Sequence, residues 1–283
     1  MPQSPETAWA LALFNRSVLK QAKYHRIVEL LQDPTGRTSL DIGADNGVIS
    51  YLLRQRGGRW FSADLDTGAV SSIKQLVGND VYQLDGKTTP FSDATFDQVV
   101  IVDFLEHIPD DRGFVQELAR IVKPGGRLVI NVPHIKPYSL VNRVRNLIGL
   151  TDQWHGHLRS GYTVGDLTQL LKPHFVVERA KTYSRAFSEL VDTLLNGLYE
   201  AMRRRTEGRM MSQKGTLVTR DAMEKRQKQF VLLSAMYPLL WMVARMDVLL
   251  PLQTGYKLIV QARRTDLGRM DGEPLRGEIE GRP

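Results

Sequence analysis

Cysteine is absent from all 283 residues, so disulfides, thiolate zinc sites and cysteine nucleophiles are excluded. The lack also leaves the redox compartment unreadable from this residue. Met1 to Glu6 carries neither a basic n-region nor an apolar core, so no signal peptide is expected there. The most apolar run, Phe230 to Ala244, has fifteen residues and holds Pro238. That falls short of the roughly 20 residues a membrane-crossing helix needs, and the proline would kink it. No internal repeat is apparent.

What is present is globular, with 42% hydrophobic and 24% charged residues in a length suited to one domain plus an insertion. Net charge is +7, a surplus compatible with nucleic acid or anionic lipid.

The chain is organised around Ser39 to Gly47. A polar turn, Asp33 to Thr38, leads into a short apolar strand, a bend with Gly43 and Gly47, and then Gly47 to Leu53 at helical spacing. Strand, glycine turn and helix open a βαβ nucleotide-binding unit. Glycine takes positive φ readily and lets a ligand lie against bare backbone, while the helix N-terminus offers unpaired N–H groups. The dinucleotide fingerprint G-x-G-x-x-G is missing, and the run reads D-x-G-x-x-x-G. Asp41 and Asp45 would repel a pyrophosphate but not a ligand carrying an ammonium or sulfonium. That favours S-adenosylmethionine over NAD.

Further motifs follow in order: Ala63-Asp64, Leu84-Asp85-Gly86, Pro90 to Asp97, Asp103 to Pro109, and Leu118 to Gly126 with its Lys123-Pro124-Gly125-Gly126 ending. In order and spacing they resemble the class I S-adenosylmethionine-dependent methyltransferases, nearest the type 11 branch that includes the ubiquinone-pathway O-methyltransferases. The resemblance covers roughly residues 20 to 183. It implies that Asp41 and the backbone of Gly43, Ala44 and Gly47 hold the methionine end of the cofactor. Asp64 would take both ribose hydroxyls, since one carboxylate can accept two hydrogen bonds. Asp85 would accept from the adenine amino group, with Leu65 and Gly86 against the ring. Asp103 would end the fourth strand and face the crevice. The commoner motif has a glycine where Asp45 stands, so that side chain must turn away from the cofactor or touch it.

Asp103-x-x-Glu106-His107 matches the acid-x-x-Glu-His pattern of the ubiquinone-pathway enzymes, some of which are thought to use magnesium there. Two carboxylates suit magnesium, whereas histidine is a less usual ligand. These residues are read as crevice wall and helix cap, and no metal is expected. His134 and His157, with His155 beside the latter, are the candidate catalytic bases, because a histidine near neutral pKa suits deprotonating a hydroxyl. The segment from His155 to Thr163 resembles a type 11 element, in which His157 and Arg159 can equally fix the loop while Thr163 caps a helix. In the N-terminal helices, Tyr24 and His25 are the candidates for contact with the site.

The expected fold is α/β, a Rossmann-like doubly wound seven-stranded sheet with a helical insertion between the last two strands. Residues 1–37 form a helical cover, 38–185 the S-adenosylmethionine-binding core, 186–254 the insertion, 255–264 the last strand and 265–283 a disordered tail. Strands are expected at 38–42, 59–64, 81–84, 96–102, 127–132, 175–179 and 256–262, with helices at 67–77, 110–122 and 163–171. The insertion opens with Phe187, Leu190, Val191, Leu194, Leu195, Leu198 and Met202 at helical spacing. Between Glu200 and Phe230 stand nine Lys/Arg against four acids, ahead of the apolar run. A soluble lid over the acceptor pocket and a contact with an anionic membrane surface are the two readings of that arrangement.

The function expected is methyl transfer, at oxygen, to a small-molecule or lipid-linked acceptor. The chain is expected in the cytoplasm, with the inner face of a membrane as a candidate attachment. Nucleic acid is the weaker partner, since Asp103-Phe104-Leu105-Glu106 stands where base methyltransferases carry Asn/Asp-Pro-Pro-aromatic. A non-catalytic scaffold binding the cofactor is the remaining alternative.

Overall fold

The structure is a computed structural model and describes residues 4–136, 139–147, 157–207 and 220–265. Strands β1 (Thr38–Ile42), β2 (Arg59–Asp64), β3 (Val81–Gln83), β4 (Phe96–Val102), β5 (Val122–Pro133), β6 (Phe175–Tyr183) and β7 (Lys257–Arg264) form one sheet. Their order is β3-β2-β1-β4-β5-β7-β6. The first five pair in parallel, and β7 runs antiparallel to both β5 and β6. The strand order reverses beside β1, which puts a crevice over the carboxyl ends of β1 and β4.

Alternation along β4 explains why both faces are covered. Val99 and Ile101 join one core with Leu40, Ile42, Phe114 and Leu118, while Val100 and Val102 join a second with Ile27, Leu30 and Trp60. The first core is closed by α5 (Asp111–Ile121) and α7 (Val164–Leu171), the second by α2 (Val18–Leu30), with α1 (Pro5–Phe14) alongside. Side-chain caps start these helices where the chain leaves the sheet. Asp110 accepts from Gly113 N at 2.9 Å, and Thr163 and Asp166 form a reciprocal capping box. Asp66 likewise caps α4 (Thr67–Val77) through Ala69 N. The short α3 (Val48–Arg54) begins at Gly47, which takes a left-handed φ of 83°.

Beyond shifts of one or two residues at β3, β7, α5 and α7, four elements differ from the expected ones. Strand β5 starts at Val122, ahead of Lys123-Pro124-Gly125-Gly126, because Phe96 pairs with Val122 and a register shift absorbs the turn before Gln98 meets Arg127. Strand β6 runs on to Tyr183, paired throughout with β7. Helix α6 (Leu140–Leu147) was not anticipated; Ser139 caps it through Asn142 N, and its Arg145 reaches Glu189 at 2.5 Å. Helix α8 (Ala186–Glu207) matches the first part of the expected insertion. Helix α9 (Arg220–Arg245) begins ten residues before the apolar run and continues through Pro238. With the 3₁₀ turn Met246–Leu249, the apolar segment Phe230–Leu249 has 20 residues, long and apolar enough to cross a bilayer. The fifteen-residue estimate was therefore short. The tail from 266 and His155 lie outside the described residues.

Candidate functional site

The glycine turn after β1 is shaped by its neighbours. Gly43 has φ 80°, and a Cβ there would stand 2.2 Å from the carbonyl oxygen of Val102 and 3.1 Å from Cβ of Phe104. No side chain fits, and the turn is thereby pressed against the end of β4. Asp45, in the place of the usual middle glycine, takes φ 53° and ion-pairs with Lys20 at 3.6 Å. Its side chain is thus directed to α2.

Asp41 turns into the protein. It is buried, with its carboxylate accepting from Ser50 Oγ at 2.5 Å and Ser62 Oγ at 2.9 Å, and Arg54 stands 3.6 Å away. These bonds fasten α3 and β2 to β1. Asp64 ends β2 as expected. It accepts from the backbone N–H groups of Asp45 (3.3 Å) and Asp66 (3.2 Å), and burial pushes its carboxyl up to about 6. A carboxylate drawn out of water at the lip of the glycine turn is suited to a diol.

Asp85 also holds its own loop. It is exposed, and Oδ1 accepts from Lys87 N and Thr88 N, both at 2.8 Å, which holds its pKa below the usual range. The carboxylate shapes its own loop. Gly86 behind it is buried between two apolar groups: a Cβ there would meet Cδ1 of Ile108 at 3.0 Å and Cδ2 of Leu65 at 3.4 Å. That narrow apolar cradle suits a flat ring. The glycine-loop backbone, Asp64 and this cradle together could hold an adenosyl group.

Asp103 ends β4 in a left-handed conformation, φ 44°, with its backbone N–H on Asn131 O at 2.8 Å. Its carboxylate accepts from Asn131 Nδ2 at 3.0 Å and from Lys23, with Lys257 Nζ at 3.9 Å. Tyr183 continues the chain by donating to Asn131 Oδ1 at 2.5 Å. Burial opposes charge on Lys257, but Asp103, Glu189 and Glu106 outweigh it and raise its pKa. Sequence reasoning missed Lys23, Asn131, Tyr183 and Lys257. Strand ends are visible in a sequence, whereas a lysine on a cover helix and one at the far end of the chain reach them only through the fold. Tyr24, flagged earlier, instead donates to Leu52 O at 3.4 Å and packs edge-on against Phe14.

Glu106 and His107 do meet His157, from the loop before α7. The rings of His107 and His157 lie 4.9 Å apart, and one ligand atom from each of the three residues falls within 4.8 Å of the others. Such a carboxylate and two imidazoles could hold a divalent cation. Glu106 is fully buried, and neither carboxylate oxygen meets a hydrogen-bond partner on another residue among those described. Burial, then the charge of Asp103, pushes it up to about 8. Arg159 serves the loop: it reaches Asp111, the hydroxyl of Tyr162 (2.7 Å) and the carbonyl oxygen of Ile108 (2.8 Å). His134 stands directly after β5, its backbone N–H donating to Tyr256 O at 3.0 Å just before β7. Its Nδ1 lies 2.8 Å from Gly255 O, and since a carbonyl only accepts, Nδ1–H donates there and the ring is held by that bond.

Comparison with known proteins agrees with this geometry. Residues 40–130 match the family described as "Methyltransferase domain". The demethylmenaquinone methyltransferase of Clavibacter sepedonicus is 34% identical over 112 residues, 38% of this chain and 46% of that protein. The ubiquinone biosynthesis O-methyltransferase of Pseudomonas paraeruginosa is 31% identical over 108 residues, 36% of this chain and 47% of that one. This chain spans about half the length of the curated relatives it matches. An S-adenosylmethionine-dependent methyltransferase from Mesorhizobium loti superposes with a TM-score of 0.53 at 15% identity, covering 86% of this chain and 98% of its own, a likeness of fold.

Proposed function

We propose, on the premise that residues 40–130 are a methyltransferase domain of the S-adenosylmethionine-dependent class, that this chain transfers a methyl group to an oxygen of a small or lipid-linked acceptor. One observation carries the choice of oxygen: two lysines, Lys23 and Lys257, converge on Asp103 beside the glycine turn. S-Adenosylmethionine, when bound, supplies a methyl carbon already activated by its sulfonium. The loop of Gly43, Ala44 and Gly47 would hold its amino-acid end, Asp64 its ribose, and Leu65 and Gly86 its ring. What the protein must add is orientation and a route for the acceptor's proton.

His134, oriented by its Nδ1–H bond to Gly255 O just after β5, would present Nε2 and is the preferred candidate for that proton. The lysines would stabilise the oxyanion left behind, in a site whose burial strengthens charge interactions. His157 is held in the Glu106 and His107 cluster, nearer the wall of the crevice than the proton route. The names of the relatives, for demethylmenaquinone and for ubiquinone biosynthesis, support a quinone-type ring as acceptor class, and the second names methylation at oxygen.

The test is methyl incorporation into a panel of hydroxylated quinones, followed by mass spectrometry. Lys257→Met and Lys23→Met should each lower kcat on the order of 100-fold, the usual effect of removing one group that stabilises a developing oxyanion. Affinity for S-adenosylhomocysteine should stay unchanged in both. Full turnover in both variants would remove the lysines from the reaction.

A further inference from the structure

Helix α9 has two faces of unlike fate. Its inner face is engaged: Phe230 stacks on Trp9 with ring centroids 4.7 Å apart, Tyr237 accepts from Gln21 Nε2 at 2.8 Å, and Ala244 is buried. Its outer face is apolar and open. Leu232, Met236, Leu239, Met242, Met246 and Leu249 recur every three or four residues, and all six are exposed, Leu232 by 59%, Leu239 by 55% and Leu249 by 66%. At 1.5 Å per residue that stripe is about 25 Å long. Soluble surfaces seldom leave so continuous an apolar strip in water. Trp241 lies beside it, half exposed, with the Arg245 guanidinium 4.7 Å over its ring, a pairing suited to a lipid headgroup region.

We propose that this stripe is a seat for an anionic lipid bilayer, on which α9 lies flat. Charge chooses the occupant. The nine Lys/Arg and four acids between Glu200 and Phe230 supply most of the chain's surplus. Arg203, Arg204 and Arg205 end α8 and Arg220, Lys225, Arg226 and Lys228 open α9, while Arg209 and Lys214 lie outside the described residues. Lipid phosphates complement that run. A second copy packed antiparallel would bring residues 245–252 against it, where the one acid is Asp247. The Asp247 carboxylate is already spent on the N-terminus of α8, accepting from Arg185 N at 2.7 Å and Phe187 N at 2.9 Å. Crossing the bilayer would require α9 to give up Trp9, Gln21 and α8, so it rests on the surface although its length is sufficient to span. Helix α2 carries both Gln21, turned to α9, and Lys23, turned to Asp103, so one helix width separates the seat from the crevice. The membrane seat does not depend on the methyl-transfer reading.

The experiment is flotation of the full chain with vesicles of phosphatidylcholine alone or with 30% phosphatidylglycerol, an arbitrary anionic fraction of roughly physiological order. Wild type should float with the anionic vesicles at least tenfold more than with neutral ones, less so at high salt, and should be released by alkaline carbonate. Leu232→Glu combined with Leu239→Glu should lose at least tenfold in flotation while its melting temperature and oligomeric state match wild type, since both side chains face solvent. Brominated lipid should quench tryptophan fluorescence in wild type and much less in Trp241→Phe. Failure to float, equal flotation of the double variant, or resistance to carbonate would each overturn the proposal. So would a wild-type dimer that ignores vesicles and that the double variant converts to monomer.

Discussion

Asp64 shows two opposing demands on one side chain. Its folded pKa of about 6 lies above the ordinary 3.8, so the protonated form favours the folded state. That contribution is whole below about pH 4 and is lost as pH rises through 6. Asp64→Asn should therefore melt higher than wild type above pH 6, with the gap closing toward pH 4 in a thermal scan. Cofactor binding runs the other way, because a diol needs the ionised carboxylate, so affinity in wild type should rise as pH climbs through 6. Asp64 was legible in the sequence because it ends a strand. Asp41 and Asp85 were legible as acids in the right places, but their partners Ser50, Ser62, Lys87 and Thr88 were not. Spacing shows where a side chain stands, while hydrogen bonds decide what it has left to offer. The same holds for Glu106, His107 and His157, which the fold brings together from two loops. Methyl transfer should nonetheless survive EDTA, because Lys23 and Lys257 already bring positive charge to the acceptor side. Loss of activity on chelation, restored by a divalent cation, would reassign that trio as a metal site.

At the scale of elements, α8 is started by a residue sixty positions away. Asp247 accepts from the N–H groups of Phe187 and Ser188 as well as from Arg185, closing the insertion on itself. A carboxylate at a helix N-terminus stabilises it by about 0.5–2 kcal/mol. Asp247→Ala should lose about that much and make the α8 and α9 region the first site of limited proteolysis, with S-adenosylhomocysteine affinity unchanged. Intact resistance to protease would show that the cap does not hold the insertion. Helices with local caps, such as Asp66 on α4 and Thr163 on α7, were visible from sequence. Those whose anchors lie across the fold, α6 through Glu189 and the long α9, were missed or shortened. Apolarity marked only the last part of α9, and its polar first turns carry no pattern that distinguishes them from a loop.

At the scale of the whole molecule, the doubly wound sheet was legible because strands and helices alternate with short connections and β4 is apolar without interruption. The insertion was legible as helical and basic, but not its orientation, since an apolar helix gives no sign of which face its domain will cover. Both halves of the molecule meet at Asp103, where β4, α2 and β7 converge. The central claim is that the turn after β1 and the acid that ends β2 hold S-adenosylmethionine. Titration calorimetry of wild type with S-adenosylhomocysteine tests it most directly, with NAD as control and Asp64→Ala in parallel. The account predicts one site for S-adenosylhomocysteine, no heat with NAD, and in the variant a loss on the order of 1.5–3 kcal/mol per charge-assisted bond. Absence of binding in wild type, or equal affinity in wild type and Asp64→Ala, would contradict it.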